Sequence, residues 1–297
     1  MGDSYVVTAT GLNLRSTPAV SPSNKLVTLP QGEIVRKIGV SEDPAWWQVS
    51  ANLKGAAFEG YVSSQYLAAT DAGPQPVNPP KNIPEVHLKT KTAIRRDQTN
   101  GRAYPLNEQG QPRRASLAAG SLATIINWLD VEKHVRYLPV PGVTFCNIYA
   151  YDYCYLGNGF LPRVWWTNTS LELLADGKTV EPLYDKTVRE LNANSLHDWL
   201  DEHGPAFGWR RVADVESLQN AANAESLAII CARRKDLNRS GHICAVVPET
   251  ATAQAVRSGG VVRIPLQSQA GATNFRYGGK QWWTSDKFSA FGFWIMQ

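Results

Sequence analysis

Residues 142–152 read Gly142-Val143-Thr144-Phe145-Cys146-Asn147-Ile148-Tyr149-Ala150-Tyr151-Asp152. A Gly-Val-Thr turn runs into a stretch that reads as helix over Asn147–Leu156, so Cys146 is expected at a helix N-terminus. The unpaired N–H groups and the dipole there stabilise a thiolate, the form of cysteine that attacks a carbonyl. The alternative for Cys146 is an ordinary buried cysteine, since free cysteine is commonly core.

About one hundred residues on, Ser240-Gly241-His242-Ile243-Cys244-Ala245-Val246-Val247-Pro248-Glu249 has a histidine opening a strongly apolar strand, expected over Gly241–Val247. A glycine in front of it lets another group approach closely. An imidazole at that place can take a thiol proton and later hand it to a leaving amine. Helix candidates Asn192–Glu202 and Val215–Asn223 have polar starts and apolar positions at three-to-four spacing; Ser116–Asp130 is a weaker helix candidate. Ser226–Ala232, Gly260–Leu266 and Phe291–Met296 also read as strands. Helices first and strands afterwards imply an α+β domain with an antiparallel sheet.

Upstream, Asp71–Pro84 (DAGPQPVNPPKNIP) carries prolines at 74, 76, 79, 80 and 84. Such a stretch suits neither helix interior nor central strand and is expected to be an extended spacer. It divides the chain into 1–70, a linker at 71–84, and 85–297. Before it, Tyr5–Thr10, Lys25–Leu29, Ile34–Val40, Trp46–Ser50 and Glu59–Val62 read as short strands. Turn signals such as Pro30-Gln31-Gly32 separate them, the pattern of a small β-barrel.

Composition bounds the partners. The chain has 297 residues, 43% hydrophobic and 19% charged, which is the make-up of a folded protein. No window approaches eighteen uninterrupted apolar residues, so no membrane span is expected. Met1-Gly2-Asp3-Ser4 opens no basic-then-apolar leader, so no signal peptide is expected in this chain. A net charge of +4 fits an anionic wall polymer but is too mild to argue for nucleic acid. Four cysteines without a CxxC make neither a disulfide scaffold nor a zinc ribbon. Cys146, His242 and the other thiols lack metal-ligand spacing, so no metal and no cofactor are expected. Cys231 and Cys244 fall on neighbouring strands, where a disulfide or two buried thiols are both open, and Cys154 is a packing position.

Two resemblances follow. Gly11-Leu12-Asn13-Leu14-Arg15-Ser16-Thr17-Pro18, Leu29-Pro30-Gln31-Gly32, Trp47-Gln48-Val49 and Gly60-Tyr61-Val62-Ser63-Ser64-Gln65-Tyr66-Leu67 together resemble the bacterial SH3-like domain, over residues 4–68. That family binds cell-wall peptide or packs beside a catalytic domain. Thr144-Phe145-Cys146-Asn147-Ile148, Leu161-Pro162, Trp165-Trp166, Asn192-Ala193-Asn194, Gly208-Trp209, Gln219-Asn220-Ala221-Ala222-Asn223 and Gly241-His242-Ile243 resemble the papain-like cell-wall hydrolases of the NlpC and CHAP kind. The order of helix cysteine and then strand histidine is theirs.

The second resemblance implies a monomeric cysteine peptidase or amidase that cleaves bacterial peptidoglycan stem peptide through an acyl-enzyme on Cys146. It would work in the periplasm or cell wall with His242 as general acid and base. It also implies a polar residue that orients His242 from the following strand. Gln269 is favoured there, then Gln267, then Glu249. Tyr137 resembles a groove tyrosine, Asp152 is a candidate for a free substrate amine, and Trp165 is a candidate groove wall. A binding module with an inactive cysteine domain, or an acyl transferase using the same pair, are the alternatives.

Overall fold

The computed structural model describes residues 4–53, 56–69 and 83–296. The chain divides into two compact units, Met1–Asn78 and Pro79–Gln297. The expected linker at 71–84 lies outside the described residues except for its last two positions.

The first unit has strands β1 (Ser4–Val7), β2 (Gly11–Arg15), β3 (Lys25–Pro30), β4 (Ile34–Val40), β5 (Trp46–Leu53), β6 (Ala56–Ser63) and β7 (Leu67–Ala69). They form one sheet in the order β3-β2-β6-β5-β4-β1-β7, with every pair antiparallel. The side-chain period of two sends Leu12 and Leu14 of β2 inward. They join Val7, Leu29, Val35, Val49 and Val62 in a small core. Gly60 is required by close approach, because a Cβ there would lie 2.5 Å from the Arg15 carbonyl oxygen. The strand Gly11–Arg15 is an addition to the sequence reading.

The second unit has α1 (Leu122–Leu129), α2 (Cys146–Leu156), β8 (Val164–Trp166), α3 (Asn168–Ala175), β9 (Val188–Glu190), α4 (Ala193–Glu202), β10 (Trp209–Val212) and α5 (Val215–Asn223). The strands β11 (Ala228–Arg234), β12 (His242–Val246), β13 (Val256–Ser258), β14 (Val261–Ile264), β15 (Gln267–Gln269), β16 (Phe275–Gly278) and β17 (Phe288–Met296) follow. The main sheet is antiparallel in the order β10-β17-β11-β12-β15-β16. The α+β class expected from the order of elements is the class observed.

Side-chain caps start four of the five helices α1–α5. Asn192 Oδ1 accepts the N–H groups of Asn194 and Ser195 at α4, and Asp214 Oδ1 accepts from Ser217 at α5. The sheet is covered on both faces, so its central strands are apolar throughout. Ile229, Cys231, Ile243 and Ala245 face one cluster with residues of α2 and α4. Ala228, Ile230, Cys244 and Val246 face the other with Leu218 and Ala222 of α5.

Register settles the two strand cysteines. Cys231 is opposite Ile243 and Cys244 is opposite Ile230. The thiols therefore point to opposite faces and cannot be bridged; all four cysteines are free. The predicted strand Gly260–Leu266 is shorter than expected and ends at Ile264. Val261–Ile264 pairs with β13 in a separate hairpin, and after Pro265 the chain enters the main sheet as β15 beside β12.

Candidate active site

The turn before Cys146 is set by Pro141-Gly142. Val140 and Val143 exchange backbone hydrogen bonds around it, at 3.1 and 2.9 Å. Gly142 has φ +78°, the left-handed value that the third residue of a type II turn needs. Cys146 is the first residue of α2, and no side chain caps this helix. The backbone N–H groups of Ile243 on β12, of Asn147 and of Cys146 itself lie near its thiol. Burial pushes the thiol above its ordinary value, while those three N–H groups and the Arg163 charge act in the opposite direction. Cys146 is 3% exposed. It rests as a neutral thiol among donors that would stabilise a thiolate.

His242 opens β12, beside Ile243. Gly241 is required by close approach: a Cβ there would lie 2.1 Å from the Ala232 carbonyl oxygen and 2.8 Å from Asn194 Oδ1. The ring Nε2 lies 2.7 Å from Gln269 Oε1. Gln269 Nε2 donates to the Thr273 carbonyl at 3.0 Å. That second bond fixes which end of the amide faces the histidine, so His242 carries its proton on Nε2 and Nδ1 is the basic nitrogen. Trp282 stands edge-on to the imidazole, with ring centroids 4.5 Å apart. Burial pulls His242 down to about 4; the Gln269 hydrogen bond opposes this, and the charges of Lys287 and Arg234 add to it. Among the described residues no hydrogen bond joins the thiol to the imidazole. The α2 helix packs on the Ile243 and Ala245 face of β12, and the Ile243 N–H lies near Cys146 Sγ.

The three candidates for orienting His242 separate clearly in space. Gln269 meets the ring. Gln267 is buried, donates to the Pro265 and Lys280 carbonyls, and accepts from Trp282 Nε1 at 2.9 Å. It thus holds the indole that covers His242. Glu249 is tied to Arg257, Asn223 and the Ala255 N–H. Ser268, between the two glutamines, points to the α2 face and bonds the Tyr149 hydroxyl at 2.5 Å.

Tyr137, Asp152 and Trp165 are not brought to an opening. Tyr137 and Asp152 are each 0% exposed. Asp152 takes Arg136 Nε at 2.6 Å and Nη2 at 3.0 Å, and the Tyr137 hydroxyl donates to it at 2.9 Å. In this arrangement they lock α2 to the segment before the turn and have no surface left for a substrate. Trp165 is packed edge-on to Trp199 at 5.4 Å and to Phe207 at 5.5 Å, inside the core.

Spacing gives no sign of Arg163, Asn194 or the role of Trp282. Arg163 lies in a loop, bonds the Arg102 and Leu191 carbonyls and pairs with Glu190. Asn194 accepts from the Arg234 N–H at 2.9 Å and donates to the Arg239 carbonyl at 3.0 Å. It anchors the loop that delivers His242. Among the described residues no group of three or more His, Cys, Asp or Glu side chains is placed to hold a metal ion. Among them, too, no helix is long and apolar enough to cross a membrane.

The seven-stranded antiparallel unit has an independent counterpart. Residues 10–68 match the family model of the bacterial SH3 domain. The chain also aligns with the fifth SH3 domain of the human KIAA0418 protein, with 20% identity over 25% of this chain and 87% of that one, at a TM-score of 0.19. NlpC2 from Trichomonas vaginalis aligns with 12% identity over 96% of this chain and 74% of its own, at a TM-score of 0.21. At such scores neither alignment bears on the chemistry. No curated protein matches the chain.

Loss of the Gln269 amide has a defined expected effect. Gln269→Ala frees the imidazole to rotate, and kcat/KM is expected to fall about ten- to hundred-fold. Because the bond to Gln269 raises the pKa of His242, the acid limb of the pH profile should move to lower pH as well. An unmoved limb with an unchanged rate would mean that Gln269 does not position the ring.

Proposed function

We propose that residues 85–297 form a cysteine hydrolase that cleaves an amide in bacterial peptidoglycan stem peptide. We further propose that residues 1–70 hold it to the cell wall, so that it works there or in the periplasm. The reading rests on a cysteine at the start of α2, with the Ile243 N–H of β12 near its thiol, and on a histidine at the start of that same strand held by Gln269. The match of residues 10–68 to the bacterial SH3 family supports the cell-wall substrate.

The proposed steps balance as follows. His242 Nδ1 takes the proton from Cys146 Sγ, which attacks the carbonyl carbon. The oxyanion develops beside the N–H of Cys146 at the helix start, where the dipole favours negative charge. The C–N bond breaks, and the imidazolium gives its proton to the departing amine. Water then adds to the thioester: His242 takes one of its protons, hydroxide bonds to the acyl carbon, the C–S bond breaks to release the carboxylic acid, and the proton returns to Sγ. Gln269 is a positioning residue, since it keeps Nε2 protonated and Nδ1 free.

The test is digestion of purified Gram-negative peptidoglycan by wild type and by Cys146→Ala, with products read by mass spectrometry. New fragments from the wild type alone support the reading, and their masses identify the bond. No fragments from either protein would overturn it.

The pH dependence follows from His242. The base must be neutral, and burial holds it to about 4, so kcat/KM should fall on the acid side with a midpoint near 4 and not near the ordinary 6.5. Stability moves the same way. His242 and His87 are both pulled down by burial to about 4. The unfolded chain therefore takes up protons below the ordinary histidine value before the folded one does, and stability is lost as pH falls from about 6.5 toward 4. Thermal melts at each pH separate the two effects. An activity midpoint near 6.5 in a fully folded sample would contradict the neutral His242 assigned here.

A further inference from the structure

The side of the site beyond His242 carries two cations without acid partners among the described residues. The imidazole rests on Trp282, and Trp282 meets Phe288 with ring centroids 5.6 Å apart. Over Phe288 lie the Arg234 guanidinium, 5.6 Å from the ring centroid, and Lys287 Nζ at 5.1 Å. Their loops are joined, because the Lys235 N–H donates to the Lys287 carbonyl at 3.0 Å. Ser289 Oγ also bonds the Arg233 and Arg234 carbonyls. Arg234 Nε is satisfied by the Ser240 carbonyl at 3.1 Å. Its two terminal nitrogens and Lys287 Nζ have no acceptor among the described residues. Arg233, next in sequence, is paired with Asp198 at 3.0 Å, so carboxylate partners are used at this edge but not by these two groups. Both charges are felt at His242 and disfavour its protonation.

The chemistry assigns a side to this patch. His242 must deliver a proton to the amine that leaves, so the atoms attached to that amine lie beyond the imidazole, away from Cys146. Trp282, Phe288 and the two cations are therefore the wall that the leaving half of the substrate meets. Resting on the hydrolase reading above, we propose that Arg234 and Lys287 bind a carboxylate on that half. The preferred substrate then releases an amino acid, or a short peptide, whose free carboxylate stands close to the new amine.

Two cations beside one aromatic ring suit a carboxylate. Arg234 offers paired N–H donors in a plane, and Lys287 adds a point charge. The adjoining depression of about 370 Å³ takes the side chain of the leaving residue against Trp283 and Phe291. Asp286 also lines that depression, so the carboxylate belongs to the cation pair above Phe288.

The probes are L-Ala-γ-D-Glu-L-Lys and the same tripeptide ending in a carboxamide. Wild type should cleave the free acid with a kcat/KM about ten-fold or more above the amide, the size expected of charge-assisted hydrogen bonds. Most of the difference should lie in KM. The Arg234→Gln/Lys287→Gln double variant should bring the ratio close to one. Equal cleavage of both peptides by wild type, or a ratio that survives the double variant, overturns the proposal and leaves the hydrolase intact. Equilibrium binding of both peptides to Cys146→Ala, followed by tryptophan fluorescence, needs no turnover. Preferential binding of the acid there, with no hydrolysis by wild type, supports the carboxylate site while removing the hydrolase. Binding of neither peptide, with no hydrolysis, overturns both.

Discussion

Cys146→Ala is expected to abolish peptidoglycan turnover, with a fall in kcat on the order of 10⁶-fold, the scale found when one member of a catalytic unit is removed. The position of the sulfur atom decides the effect. Sγ stands at the start of α2, where the nearby N–H groups of Ile243, Asn147 and Cys146 and the Arg163 charge favour the thiolate. A methyl group keeps the packing but removes the only atom in that place able to form a bond to carbon. Mild loss of stability is expected, since the change trades a thiol for a methyl at a buried site. Cys154→Ala is the matched control. It removes the same atom from the same helix, two turns on, at a position fully buried in the apolar core. Its expected effect is on stability, with turnover kept. Turnover retained in Cys146→Ala would end the mechanism. Turnover lost equally in both variants would point to the integrity of α2 and away from nucleophilic chemistry.

How much of this is readable from sequence depends on whether the signal is local. The start of α2 is local, because Gly142 must adopt a positive φ and the residues after it carry the helix. The strand opened by His242 is local too, as an apolar run beginning at a glycine. Gly60-Tyr61-Val62 and its companion motifs fix the small β-unit in the same way. The strand Gly11–Arg15 is hard to read although Leu12 and Leu14 alternate, because Gly11 and Pro18 punctuate so short a segment. Pro265 is visible, yet its effect needs the tertiary fold. Lacking an N–H, it ends one hairpin, and β15 then enters another sheet. The choice of Gln269 over Gln267 is likewise non-local. Both lie on the same face of one strand, and what separates them is the Trp282 indole that occupies Gln267. The opposed faces of Cys231 and Cys244 come from a register that no spacing in the sequence contains.

Asp152 is the clearest case of a residue whose type suggests one role and whose surroundings dictate another, and it yields the second large effect. Asp152→Asn is expected to destabilise the protein by about 3–5 kcal/mol, the usual cost of breaking a fully buried ion pair from one side. Arg136 and Asp152 both have wholly inaccessible side chains. Burial alone would drive the Arg136 pKa down, yet the Asp152 charge outweighs this and raises it, so Arg136 stays charged in the core. An asparagine amide at this position would keep the shape and lose the charge. Arg136 would be left with neutral acceptors alone, the Gly101 and Tyr104 carbonyls and one amide oxygen, and the Tyr137 hydroxyl would lose its anionic acceptor. Chemical denaturation checks the magnitude. Replacing the pair together, as Arg136→Met with Asp152→Leu, should recover much of the loss, because it removes the uncompensated charge as well as the attraction. The same variants decide what Asp152 does for activity. If it only braces α2, Asp152→Asn changes the rates on free-amine and N-acetylated peptides by the same factor wherever the protein is folded. A selective loss on the free amine would show that the carboxylate reaches substrate after all. It would also mean that the buried network opens during turnover, with Arg136 released from the one carboxylate that holds it among the described residues.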